Sequence, residues 1–78
     1  MNIYNQYDES KDIANLLEQE GLYERAKQIT DAMIEGSTGN EIYMILRSRL
    51  KSLIDKENFP MKVKDKANNL YLSLNSIL

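Results

Sequence analysis

Residues Gly36 to Ile54 read GSTGNEIYMILRSRLKSLI, and this stretch decides the fold. It opens with a helix stop, Gly36, and then writes a helix start. A helix leaves its first four backbone N–H groups without partners. The Thr38 hydroxyl can accept one of them, and Glu41, three residues on, can reach back to the Thr38 N–H, a capping box. Ser37 is an alternative cap, with Asn40 as its weaker partner. Glu41 also sets a carboxylate at the positive end of the helix dipole, while Arg47, Arg49, Lys51 and Lys56 load the other end with positive charge. Apolar side chains fall at Ile42, Ile45, Leu46, Leu50, Leu53 and Ile54, the spacing of one helix face. These signals predict a helix over 39–56.

Upstream, Ser10 or Asp8 can cap a helix over 10–20 whose apolar stripe is Ile13, Leu16 and Leu17. Gly21 suits the left-handed position just past its end. The next helix, 22–35, carries Leu22, Ala26, Ile29 and Met33 at spacings of four, three and four, widened by Ala32 and Ile34, and Gly36 closes it. Residues 1–9 read as a flexible lead, or as one whose tyrosines pack on the bundle. Downstream, Pro60 disfavours helix in Phe59 and is tolerated at a first helical position. A turn over 56–60 therefore leads into a helix over 60–77 faced by Val63, Ala67, Leu70, Tyr71, Leu74, Ile77 and Leu78, with Phe59 folded back as an aromatic plug. Lys62, Lys64 and Lys66 sit on its first turns, against the dipole, and hint at a use.

Four apolar stripes joined by short links predict an all-α fold, a compact antiparallel bundle of four helices in one domain over 1–78. The expected core is Ile13, Leu16, Leu17, Leu22, Ala26, Ile29, Met33, Ile42, Leu46, Leu50, Leu53, Val63, Leu70 and Leu74.

Composition narrows the chemistry. The 78 residues hold no cysteine, histidine or tryptophan. The commonest general base, the commonest metal ligand and the thiolate nucleophile are thus missing. Carboxylate pairs at Asp8/Asp12 and Glu20/Glu24 have the spacing to hold a hard cation or move a proton, yet read more simply as solvated acids. The GSTGN loop lacks the pattern of a phosphate-binding P-loop, and capping accounts for it fully. No catalytic residue, metal or cofactor is expected, and the chain is read as a non-enzyme. No leader-like segment opens it, and no apolar run approaches the ~18–20 residues that span a bilayer. A cytoplasmic protein is expected, with no membrane, nucleic-acid or small-molecule partner.

The net charge of −2 hides an asymmetry. Residues 1–36 carry eight acids against three bases, a net −5, and residues 37–78 carry seven bases against four acids, a net +3. These are either ordinary solvated faces or one face that steers a charged partner. In the second reading Asp12, Glu18, Glu20, Glu24, Asp31 and Glu35 form an acidic patch. Tyr43, Met44 and Arg47 are further candidates, because Tyr, Met and Arg are enriched at protein interfaces. The alternative is that Tyr43 and Met44 belong to the core.

The pattern IANLLEQEGLYERAKQITDAMIEGSTGNEIYMILRSRLKSLI, residues 13–54, resembles small all-helical immunity proteins of bacterial contact-dependent and polymorphic toxin systems. The resemblance covers a little over half the chain, and its specific part is Gly36 to Ile42. It implies a small cytosolic inhibitor that occludes a cognate toxin, with no enzymatic activity of its own. Many such toxins are basic nucleases, for which an acidic patch is the complement. Two other readings stand beside it. One is a DNA-binding regulator in which the second and third helices act as a helix-turn-helix, using Arg47 and Arg49. The other is a homo-oligomeric bundle with Tyr43, Met44 and Leu72 buried between chains.

Overall fold

A computed structural model of the protein describes residues 5–55 and 59–78. They form α1 (Gln6–Gln19), α2 (Tyr23–Glu35), α3 (Gly39–Ile54) and α4 (Met61–Ile77), an all-α four-helix bundle. Each helix packs on both neighbours in a closed ring, and the backbones of the diagonal pairs α1/α3 and α2/α4 stay apart. At ~1.5 Å per residue the helices are ~20–25 Å long, which matches the 30 × 29 × 23 Å envelope. Side-chain pairs show the antiparallel sense of α1 and α4: Glu20 meets Lys62 at one end, and Gln6 meets Ser73 at the other.

Helix α1 begins earlier than the expected 10–20. Asn5 is the cap, and its Oδ1 accepts from the N–H groups of Tyr7 and Asp8 at 3.0 and 3.1 Å. Residues 6–9 are therefore helix rather than lead, and residues 1–4 lie outside the described set. Three cap-competent residues stand close together here, Asn5, Asp8 and Ser10. Ser10 is excluded because it is fully buried and its hydroxyl back-bonds to the Gln6 carbonyl at 2.7 Å. The other end of α1 behaves as read. Gly21 has φ +76°. Its N–H donates to the Glu18 carbonyl at 2.9 Å, and the Leu22 N–H donates to Leu17 at 2.8 Å. This is the complete Schellman arrangement, which satisfies the last carbonyls of α1 and starts α2 with no spare loop.

Gly36 ends α2 for a different reason from Gly21. Its φ of −76° suits any residue. What excludes a side chain is space, since a Cβ there would lie 2.6 Å from both the backbone nitrogen and Cγ1 of Ile42. The glycine lets the end of α2 rest against the first turn of α3. The capping box of α3 is modified too. Thr38 Oγ1 accepts from the Glu41 N–H at 3.2 Å as expected, but Glu41 Oε2 takes the Ser37 N–H at 2.9 Å and the Ser37 hydroxyl at 2.7 Å. One carboxylate oxygen thus gains two charge-assisted bonds on Ser37 in place of the single bond expected on Thr38.

The core is Ile13, Leu17, Ala26, Ile29, Leu46, Leu50, Leu53, Val63, Leu70 and Leu74, with Ala14, Ala32 and Ala67 between them. Each fully buried Leu, Ile or Val contributes about 1.5–3 kcal/mol of hydrophobic stabilisation. Leu16, Leu22, Ile42, Tyr71 and the plug Phe59 are half-buried against this cluster. Met33, expected inside, is only half-buried, and Ile34, expected to widen the α2 stripe, is 80% exposed.

Candidate functional site

Five of the six acids proposed as one patch divide into two groups. Asp12, Glu20 and Glu35 are spent on the bundle itself. Glu20 pairs with Lys62 at 3.2 Å, and Lys66 bridges Glu9 at 3.6 Å and Asp12 at 3.9 Å. Glu35 pairs with Arg49, whose Nη1 also donates to the Gln28 carbonyl at 2.7 Å. The opposite charges of the two halves of the chain therefore meet across the α1–α4 and α2–α3 seams. This supplies a use for Lys62 and Lys66 on the first turns of α4.

Glu18 and Glu24 form the second group. They are exposed on either side of the α1–α2 turn, with no ion pair among the described residues. Tyr23 sits between them in sequence and is 68% exposed, an amphipathic ring standing in solvent on a turn that the Gly21 bonds hold fixed. Gly21, Leu22, Tyr23, Glu24 and Arg25 line a shallow depression at this corner. Nothing in the sequence pattern of α2 separates an exposed tyrosine at its start from a packed one.

Tyr43, Met44 and Arg47 do not act as one cluster. Tyr43 turns inward and is half-buried, its ring 5.5 Å from that of Tyr7 and tilted by 42°. Burial, then the neighbouring Tyr7, pushes the Tyr43 hydroxyl above its ordinary pKa. Arg47 is half-buried and donates to Asn75 Oδ1 at 3.3 Å, tying α3 to α4. Met44 faces outward and is 54% exposed, as is Leu72 on α4 at 56%.

A feature that no motif announced lies between α2 and α3. Arg25, Gln28, Asp31, Ser48, Arg49 and Ser52 line a shallow groove of about 290 Å³. Asp31, the last of the proposed acids, is half-buried here, away from Glu18 and Glu24. Among the described residues no group of three or more metal-ligating side chains comes together, and no helix is long and apolar enough to cross a membrane. The chain matches no family model, no curated protein and no solved structure.

Proposed function

We propose that the chain is a non-enzymatic, protein-binding inhibitor of the immunity type, acting in the cytoplasm on a basic partner, most simply a nuclease toxin. The observation that carries this reading is the α1–α2 corner, where exposed Tyr23 stands with the unpaired carboxylates of Glu18 and Glu24 on a hydrogen-bonded turn. A rigid aromatic anchor beside uncompensated charge has the character of an interface hot spot. It loses little conformational entropy on binding, and its negative field speeds encounter with a positive surface and disfavours like-charged competitors. The choice of partner rests on the resemblance read in residues 13–54 of the sequence alone. The helix-turn-helix alternative draws less support, because both of its arginines are engaged within the bundle, Arg47 with Asn75 and Arg49 with Glu35 and Gln28.

The test is capture from a bacterial lysate on the tagged full chain, followed by mass spectrometry, with Glu18→Lys/Glu24→Lys and Tyr23→Ala in parallel. The expected result is one basic protein, near stoichiometric, retained at moderate salt and lost with the charge-reversed bait while circular dichroism is unchanged. Recovery of nucleic acid, or of the bait alone, overturns the reading.

A further inference from the structure

We infer that the groove between α2 and α3 is a receptor for an oxyanion, a carboxylate or phosphate group. Two guanidinium groups converge there on a single residue. Arg49 Nη1 donates to the backbone carbonyl of Gln28 at 2.7 Å, and Arg25 Nη1 donates to the side-chain carbonyl of the same Gln28 at 3.2 Å. Arg49 is compensated by Glu35, whereas among the described residues Arg25 bonds only to the neutral Gln28. Arg25 keeps most of its N–H donors, in the planar fork that suits an oxyanion.

The hydroxyls of the groove are open to solvent. Ser10 and Thr30 turn back on their own helix, Ser10 to Gln6 and Thr30 to Ala26 and Lys27, while Ser73 accepts from Gln6 on α1. Ser48 and Ser52, one turn apart on the groove face of α3, make no such bond among the described residues, so both hydroxyls are available to a ligand. Asp31 sets the charge. A carboxylate in the same groove opposes a dianion more strongly than a monoanion, so a singly charged oxyanion is the better fit.

The experiment is an NMR titration of the isotope-labelled full chain with sodium acetate and, separately, inorganic phosphate, at ionic strength held constant with chloride. Saturable shifts confined to residues 25–31 and 48–52 are expected. Arg25→Gln should weaken them about tenfold, the worth of one charge-assisted hydrogen bond, and Asp31→Asn should strengthen them. Ser48→Ala/Ser52→Ala gives a second reading that leaves both arginines in place, and it too should weaken binding. Saturation by acetate rather than phosphate assigns a carboxylate, and the reverse a phosphate. Shifts that rise without saturating at lysines and arginines all over the surface, or binding that Arg25→Gln leaves unchanged, overturn the proposal.

Discussion

Replacing Gly36 by alanine should destabilise the whole bundle, although alanine is the better helix former. The added Cβ would stand 2.6 Å from the Ile42 nitrogen and 2.9 Å from its Cα. These are backbone atoms, and Ile42 N is fixed by its 3.0 Å bond to the Thr38 carbonyl. Relief must come from moving α2 against α3, an overpacking that costs about 1–3 kcal/mol. For a domain whose net stability is only a few kcal/mol, the melting temperature should fall on the order of 10 °C. Gly39→Ala is the matched control, since the nearest atom to its Cβ would be the Tyr7 hydroxyl at 3.8 Å. Relief from glycine entropy there should stabilise by up to ~1 kcal/mol. Because Gly36 does not adopt a left-handed conformation, Gly36→Asn should be no better than Gly36→Ala. Thermal and urea melts followed by circular dichroism at 222 nm check all three variants. Equal melts for wild type and Gly36→Ala, or rescue by asparagine, would refute the steric argument.

Hydrogen bonds from the Ser37 N–H and hydroxyl hold the Glu41 carboxyl below its ordinary pKa of 4.5. A depressed folded value means a contribution that is full above the unfolded value and is lost as pH falls through the folded one. Glu41→Gln should therefore be less stable than wild type at neutral pH, and the two should converge on acidification below pH 4.5. Melts at matched pH would show a constant gap if the carboxylate were idle. The Glu20–Lys62 pair, part-exposed, should show a coupling of only ~0.2–1 kcal/mol in a double-mutant cycle, shrinking at high salt. A coupling insensitive to salt would point to packing by the side-chain stems instead.

Element type was legible because the 3.6-residue apolar period and the glycine and proline stops agree with one another. The start of α1 was not, because Asn5, Asp8 and Ser10 can each cap a helix, and the burial that removes Ser10 is set by tertiary packing. The alanines Ala14, Ala32 and Ala67 were underweighted as core, since a small side chain marks close helix approach rather than strong hydrophobicity. Ile34 errs the other way, standing in the stripe by spacing but outside the core. The acidic patch failed as a unit for a reason of distance along the chain. Lys66 is 54 residues from Asp12, and no local pattern reveals which acids will meet which lysines. The α2–α3 groove was invisible for the same reason, being assembled from two helices with no motif in either.

The 3.0 Å bond from Gln6 to Ser73 also has a directional meaning. It brings the first turn of α1 beside the C-terminal part of α4, so Asn5 and Leu78 lie at the same end of the bundle. The Tyr23 corner lies at the other end, one helix length of about 20 Å away. A tag, a tether to a surface or a further domain attached beyond Leu78 leaves that corner pointing outward. The bundle can be anchored from one pole and present its aromatic, acidic tip from the other.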